Sequence, residues 1–284
     1  PADMSFRFVD ATHVEIRRPA GFDAGALYSL EYLARDPTVL GLGFAATRDI
    51  VSFLRHDGSA QNPLAANGKP TLKRAYAYGQ SQTGRFLREF LYLGFNEDLA
   101  GRSVFDGLLP QIGGARFTVT NQRFGLPMRA PRHPQDPGGI ADRFPFTYTT
   151  TTDPFTGRRD GLLERCTKTR TCPKVVQIDS EYEWWSSKAS LLITDPKTGK
   201  ALPLPANVRL YMSAGTPHIA QPEGVMQKNP QCMMPVNPVH QGPVMRAMLD
   251  ILDQWVDRNV TPPPSRTPNL GDRSLVEVGA AKLP

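Results

Sequence analysis

The chain has 284 residues, of which 40% are hydrophobic and 21% are charged, and its formal net charge is +6. This length can bury one large core, and no apolar run approaches the length of a membrane span. Arg and Lys are scattered without interleaved aromatic residues, which predicts a solvated basic surface rather than a nucleic-acid-binding module. A mild attraction for acidic substrates is compatible with this charge.

The segment before residue 74 predicts one strand and one helix. Residues 27–33 have the composition of a strand, and the apolar residues within 44–54 recur at helical spacing. Residues 59–70 are rich in small and polar residues and predict a loop.

Residues 74–87 (RAYAYGQSQTGRFL) predict a strand, a sharp turn at Ser81 and a helix. This order is typical of a nucleophile elbow, in which a strained turn presents a serine hydroxyl to a base and to backbone N–H groups. Gly79 and Gly84 suit such a turn because they lack a Cβ. The usual pattern, G-x-S-x-G, has glycine where Thr83 stands, and the alternative role for Ser81 is a helix N-cap.

The elements after the elbow alternate between strand and helix. Residues 115–163, rich in Arg, Pro, Gly and Thr, predict a cap-like insertion over the site. Strands are predicted at 104–112, 174–178 and 208–212, and helices at 86–93, 184–193 and 244–257. The tail from residue 265 is predicted to be irregular. This order predicts an α/β fold with a doubly wound, mostly parallel sheet, helices on both faces and one domain over residues 1–284.

A histidine and an acid follow Ser81 in the chain order expected for an α/β-hydrolase triad. His218 comes directly after the predicted strand 208–212 and is the predicted base, with His240 as the alternative. Such a histidine takes the serine proton during attack and returns it to the leaving alcohol.

Three carboxylates follow the predicted strand 174–178. Glu183 is the predicted acid that orients the histidine, and Glu181 and Asp179 are the alternatives. The N–H of Gln82, directly after the serine, is the expected oxyanion donor, while a second donor is unassigned. Residues that predict a pocket for an aromatic or acidic acyl or sugar ester are Arg116, Arg123, Phe124, Tyr148, Trp184 and Trp185.

The three cysteines are Cys166, Cys172 and Cys232, and none lies in a zinc-binding pattern, so neither a metal nor a cofactor is predicted. A Cys166–Cys172 disulfide would suit an exported protein, whereas a Cys172–Cys232 pair and three free thiols are the alternatives. We expect a secreted or periplasmic protein, with a cytoplasmic one as the alternative. The chain begins with Pro1, without initiator methionine or signal peptide, which predicts a processed chain or the C-terminal part of a longer precursor.

Five segments, in the same order, resemble an α/β-hydrolase domain-containing family and, more distantly, the glucuronoyl esterases and tannase-type esterases. They are residues 41–49 (GLGFAATRD), 79–85 (GQSQTGR), 183–191 (EWW ahead of ASL), 215–218 (GTPH) and 237–239 (NPV). The resemblance implies that Ser81 is the nucleophile, Glu183 the acid and His218 the base. Glucuronoyl esterases have an arginine where Gln82 stands and a lysine where Arg85 stands, so their substrate is not carried over.

The function predicted from these residues is that of a serine carboxylesterase acting through an acyl-enzyme on a small-molecule or carbohydrate-linked ester. Amide or lactone hydrolysis by the same triad and a catalytically inactive binding or assembly module are the alternatives. A complete α/β-hydrolase sheet has several strands before the elbow, whereas this chain predicts two or three at most. We therefore expect a preceding segment or a partner chain to complete the sheet, with a reduced fold as the alternative.

Overall fold

The computed structural model describes residues 4–18, 33, 35–37, 39, 42–118, 142–219, 235–269, 274–276 and 278–280. The chain divides into two compact units, residues 1–38 and residues 39–284. Every α/β element predicted from residue 44 onward lies in the second unit. The single domain over residues 1–284 stays a prediction.

The first unit contains an antiparallel hairpin, β1 (Ser5–Phe8) with β2 (Val14–Arg17), which was not predicted from the sequence. Asp10 closes its turn by accepting the backbone N–H groups of Thr12 and His13 at 2.7 and 2.9 Å, a common use of an aspartate side chain in turns. The predicted strand 27–33 lies outside the described residues except for Leu33, which is not in a strand.

The second unit alternates strands and helices along the chain. In chain order it contains α1 (Leu42–His56), β3 (Ala65–Ala66), β4 (Lys69–Pro70), β5 (Tyr76–Gln80), α2 (Gln82–Tyr92), β6 (Gly107–Gln111), β7 (Thr151–Thr152), β8 (Arg159–Asp160), α3 (Glu164–Thr169), β9 (Lys174–Ser180), α4 (Glu181–Ser186), β10 (Val208–Ser213) and α5 (Gly242–Arg258). Short 3-10 turns lie between α4 and β10, at Ala189–Leu192, and after α5, at Val278–Ala280.

Four of these strands form one parallel sheet in the order β10–β9–β6–β5. Because every pair is parallel, the carboxyl ends of all four strands lie at the same edge of the sheet. Ligands in such sheets bind outside the carboxyl ends of the strands. The topology therefore gathers the segments that follow β5, β9 and β10, which carry the predicted site residues.

Helices cover both faces of the sheet, as predicted. On β9, Val175 belongs to a core cluster with Phe44 of α1 and Phe90 of α2. Its neighbour Val176 points to the opposite face, where it belongs to a second cluster with Trp255 of α5. Alternation along a strand places successive side chains on opposite faces, so each strand contributes to both clusters. The predicted α/β class with a mostly parallel sheet is confirmed.

Several predicted boundaries were wrong. The predicted loop 59–70 contains the short hairpin β3–β4, and the strand predicted at 104–112 begins at Gly107. The helix predicted at 184–193 is instead α4 followed by a 3-10 turn, because Lys188 between them has a left-handed φ of 59°. A left-handed residue ends regular helical hydrogen bonding.

The described parts of the predicted cap 115–163 contribute to the core. Phe117, Tyr148 and Leu162 are each buried and belong to the cluster that covers one face of the sheet. Residues 119–141 of the predicted cap lie outside the described residues. The insertion is thus anchored by its apolar side chains on both sides of that segment.

A disulfide joins Cys166 of α3 to Cys172, just before β9. This is one of the three alternatives that the sequence left open, and Cys232 lies outside the described residues. None of the described helices combines the length and the apolar character needed to span a bilayer.

Candidate active site

Ser81 forms the turn between β5 and α2, at the carboxyl edge of the sheet. Its backbone has a φ of 55° and a ψ of −115°, a conformation unfavourable for any residue with a Cβ. The Ser81 N–H donates to Gln111 O at 2.9 Å, and Ser81 O accepts from Arg85 N at 3.0 Å. Although Ser81 occupies the N-cap position, its side chain makes no capping hydrogen bond. The turn has the strained conformation predicted for a nucleophile elbow.

The residues around Ser81 explain how the strained turn is held. A Cβ at Gly79 would lie 2.4 Å from Thr83 O, and a Cβ at Gly84 would lie 2.8 Å from Gln111 O, so only glycine fits at either position. Thr83 Oγ1 accepts from the N–H of Gln80 and donates to its carbonyl oxygen, both at 2.8 Å. Threonine thus ties the turn where the usual motif has glycine, a role that sequence reasoning missed.

The structure brings Ser81, His218 and Glu183 together in one hydrogen-bonded row. Ser81 Oγ lies 2.9 Å from His218 Nε2, and His218 Nδ1 hydrogen-bonds Glu183 Oε1. The other oxygen of this fully buried carboxylate accepts from Ser180 Oγ. Because Nδ1–H donates to the carboxylate, Nε2 of a neutral imidazole is left as the acceptor that faces the serine hydroxyl.

The two alternative acids hold the surrounding backbone instead. Asp179 accepts the N–H of Gly114 at 2.8 Å and the side-chain amide of Gln177 at 2.6 Å. Burial raises the pKa of the Asp179 carboxyl to about 6. Glu181 Oε2 accepts the N–H of Gly215 at 2.6 Å. Both carboxylates are therefore oriented toward backbone or amide donors and away from the imidazole.

The loop that carries the histidine is held by a chain of side-chain amides, the amide relay, which sequence reasoning missed. Tyr78 OH donates to Gln111 Oε1, Gln111 Nε2 donates to Gln241 Oε1 at 3.1 Å, and Gln241 Nε2 donates to Pro217 O at 3.3 Å. Gln111 and Gln241 are buried. The relay thus connects the elbow strand to the residue before His218. No pattern in the sequence distinguishes these glutamines from surface ones.

The alternative base His240 lies on the surface just before α5, and His218 is the histidine that the structure places at Ser81. The predicted oxyanion donor, the N–H of Gln82, is the first amide of α2 and has no acceptor within the described residues. The first N–H groups of a helix lack intrahelical partners, and the helix dipole favours negative charge beside them. This N–H is therefore available to a developing oxyanion.

The predicted substrate-binding residues have different outcomes. Tyr148 is only 2% exposed and its hydroxyl donates to Gln177 at 2.7 Å, so its predicted place in a substrate pocket was wrong. Trp184 is also a buried core residue, whereas Trp185 is 68% exposed. Arg123 lies outside the described residues. The aromatic residue that the structure does place at the histidine is Tyr182, whose ring centroid lies 5.7 Å from that of His218.

Within the ranges that the structure describes, no three His, Cys, Asp or Glu side chains gather as a metal ion would require. The groups that surround Ser81 there are an imidazole, a carboxylate, hydroxyls and backbone amides, which together can carry out proton transfer and stabilise an anion.

In the comparison with known families, the model of the alpha/beta hydrolase domain matches residues 2–277 of the chain. Comparison with curated proteins and with solved structures gave no match. The matched range includes every element that positions Ser81, Glu183 and His218. It also agrees with the parallel sheet and flanking helices. The chain therefore belongs to the alpha/beta hydrolase domain family, a family of hydrolases.

Proposed function

We propose that the protein is a serine carboxylesterase that acts through an acyl-enzyme formed on Ser81. The observation that carries this proposal is the hydrogen-bonded row from Ser81 Oγ through His218 to the buried carboxylate of Glu183. A serine hydroxyl is a weak nucleophile on its own, and an adjacent imidazole oriented by a third group activates it.

In the first half-reaction, Ser81 Oγ attacks the ester carbonyl carbon while His218 Nε2 takes the hydroxyl proton. The carbonyl electron pair moves to oxygen, where the N–H of Gln82 donates to the resulting oxyanion. Glu183 stabilises the imidazolium without taking its proton. When the tetrahedral intermediate collapses, the bond to the alcohol oxygen breaks and His218 returns the proton to that alcohol.

In the second half-reaction, water attacks the acyl-enzyme and His218 Nε2 takes the proton of the water. A second oxyanion forms in the same place, and its collapse releases the carboxylic acid as the proton returns to Ser81 Oγ. Each step needs one proton carrier, and the row supplies it from a single imidazole.

We infer that the substrate is a small-molecule or carbohydrate-linked ester. Tyr182 is 52% exposed beside the His218 ring, and the apolar residue Ile219 is exposed directly after the histidine. Aromatic faces of this kind stack on sugar rings and on apolar groups. Exposed Trp185 on α4 stays a candidate for the same role. These exposed residues near His218 support a substrate that has both apolar and polar parts.

We also infer that the protein is exported to a secreted or periplasmic location. The Cys166–Cys172 disulfide supports this, because disulfides persist in oxidising compartments and are rare in the cytosol.

The test of the esterase is the variant Ser81→Ala, assayed with 4-nitrophenyl butyrate and labelled with a fluorophosphonate. We expect the wild-type protein to hydrolyse the ester and to be labelled on Ser81. The variant should lose at least about a thousandfold in kcat and all labelling, because the nucleophile is gone. Ser59→Ala, in the exposed turn after α1, is the matched control and should retain both.

Two results would contradict the proposal. Hydrolysis retained by the Ser81→Ala variant would remove Ser81 as nucleophile. A folded wild-type protein that neither hydrolyses esters nor reacts with the fluorophosphonate would favour a binding or assembly module, since an unactivated hydroxyl does not react with this probe.

A further inference from the structure

Arg85 lies on α2, one helical turn after Ser81, and the two residues share a backbone hydrogen bond of 3.0 Å. Residues four apart lie on the same face of a helix, and helical side chains lean toward the helix N-terminus. The side chain of Arg85 therefore extends toward the end of α2 that carries Ser81.

The guanidinium of Arg85 makes no hydrogen bond or ion pair among the described residues, although the residue is partly buried. Two buried arginines of the same unit behave differently. Arg55 lies 2.9 Å from a carboxylate oxygen of Asp106, and Arg88 donates to Phe146 O at 2.8 Å. Cations removed from water normally have such partners, because desolvation without compensation is costly. Arg85 departs from this rule at the edge of the proposed site.

The charged groups around Arg85 are already engaged with each other. Its electrostatic neighbours are Arg116, Glu183 and Asp142, and burial followed by the charge of Arg116 lowers the pKa of Arg85. Arg116 Nε lies 2.6 Å from Asp142 Oδ1, an ion pair whose angle is unsuitable for a hydrogen bond. Glu183 is bound to His218. Among the described residues, the positive charge of Arg85 is therefore left without a counter-ion beside the row.

We propose that Arg85 binds a carboxylate of the substrate, so that the enzyme prefers esters whose acyl or alcohol part carries a negative charge. The proposal rests on the esterase function above. A guanidinium presents a planar fork of donors that matches a carboxylate in bidentate geometry. The substrate carboxylate would make the hydrogen bonds that the Arg85 guanidinium lacks among the described residues, and it would orient the ester relative to Ser81.

A different role for Arg85 would be purely electrostatic. Its charge could stabilise the ionised Glu183 and so assist His218 with every substrate alike. The two roles make different predictions: carboxylate binding changes the ratio of rates for charged and neutral esters, whereas support of Glu183 changes both rates by the same factor.

The experiment compares two matched pairs of esters on the 284-residue protein. The pair that varies the acyl side is mono-4-nitrophenyl adipate and 4-nitrophenyl hexanoate. The pair that varies the alcohol side is 3-acetoxybenzoate and 3-methylphenyl acetate. The measured quantity is the ratio of kcat/KM for the anionic and the neutral member of each pair, which also identifies the side that carries the charge.

We expect the wild-type protein to favour the anionic member of one pair. In Arg85→Gln this ratio should fall by roughly tenfold to a hundredfold, as expected for the loss of charge-assisted hydrogen bonds. Arg85→Lys should keep part of the preference, since it keeps the charge without the fork. The matched control Arg159→Gln removes the same charge from an exposed position on β8 and should leave the ratio unchanged.

The proposal is overturned if the wild-type protein hydrolyses the neutral esters but prefers neither anionic member, or if Arg85→Gln slows both members equally. Both outcomes leave the esterase function intact. Absence of hydrolysis for all four esters, with no labelling of Ser81, would instead contradict the esterase function on which the proposal rests.

Discussion

Asp179 is a buried carboxyl group beside the proposed site that takes no part in the proposed chemistry. Burial raises its pKa from 3.8 to about 6, in spite of the donors from Gly114 and Gln177. The folded protein therefore holds this proton more tightly than the unfolded chain does. The contribution of Asp179 to the free energy of unfolding falls as pH rises from about 4 to about 6 and stays low above that range.

The variant Asp179→Asn should remove this pH dependence. Asn places a donor opposite the side-chain amide of Gln177 and so lowers stability at every pH. The informative quantity is how far the stability difference between wild type and variant changes from pH 4 to pH 7. We expect the difference in unfolding free energy between wild type and variant to change by up to roughly 3 kcal/mol over that range. Denaturant unfolding at pH 4, 5, 6 and 7 measures it.

The control is Asp195→Asn, at an exposed turn. The backbone N–H of Thr198 holds the pKa of Asp195 below its usual value. Its effect on stability is therefore lost below about pH 4, and the pH 4 to 7 range should be flat. An equally flat difference for Asp179→Asn would contradict a raised pKa at position 179.

For single residues, the sequence predicted well which side chains follow the ends of the strands, and it predicted poorly whether a side chain points into the core or toward a pocket. Ser81, Glu183 and His218 were predictable because each follows a strand end and parallel strands end together. The burial of Tyr148 was not, because its hydroxyl partner Gln177 lies on a distant strand. The residues around Tyr148 in the sequence fit the wall of a substrate pocket as well as they fit a packed core.

Hydrogen bonds from several secondary-structure elements hold the loop of His218 in place. The amide relay connects β5 and β6 to the start of α5 and ends at Pro217 O. A second bond, from Asn237 Nδ2 to Gly215 O at 2.7 Å, fixes the other end of the same turn. His218 therefore reaches Ser81 from a loop that hydrogen bonds connect to β5, β6 and the start of α5.

Replacing Gln241 should reposition His218. Gln241→Leu removes both relay bonds, and Gln241→Glu keeps the acceptor for Gln111 but loses the donor to Pro217 O. Small displacements of a catalytic group are expensive in rate, so we expect roughly tenfold lower kcat for both variants and a similar loss in the rate of fluorophosphonate labelling.

If Gln241 had a structural role alone, its replacement would lower the stability of the protein without lowering kcat or the rate of labelling. The control Gln254→Leu lies on the same helix, where, among the described residues, the Gln254 side chain bonds only Asp250, and it should leave kcat unchanged. Gln241 variants with normal labelling rates, measured well below their unfolding temperature, would contradict a positioning role.

Helices with local periodicity were the most predictable elements. The apolar spacing in α1 and α5 is visible in the sequence because one face of each packs on the sheet. The relay was not predictable, since two residues that it joins directly, Gln111 and Gln241, are 130 positions apart in the chain. Hydrogen bonds between distant polar residues leave no periodic pattern.

For the whole molecule, the notable feature is the edge of the sheet. β5 bonds β6 on one side and, in the described part of the chain, has no strand on the other. Ala75 O and Ser81 N bond toward β6, so alternation along the strand directs the N–H groups of Tyr76 and Tyr78 away from the sheet. Open edges of this kind are usually covered in native proteins. We propose that a further strand, from a preceding segment or a partner chain, completes the sheet here.

Amide hydrogen exchange measures this directly on the 284-residue chain. Val176 lies in β9, which is hydrogen-bonded on both sides, and its N–H should exchange only through global unfolding. The N–H of Tyr78 should exchange at least about a hundredfold faster, because none of the described strands covers it. Addition of a completing segment or partner should slow it toward the rate of Val176. The amide of Ala77, which faces β6, is the internal control and should be protected in both states. Equal protection of Tyr78 and Val176 in the chain alone would mean that the edge is already covered, and the sheet would then need neither a preceding segment nor a partner.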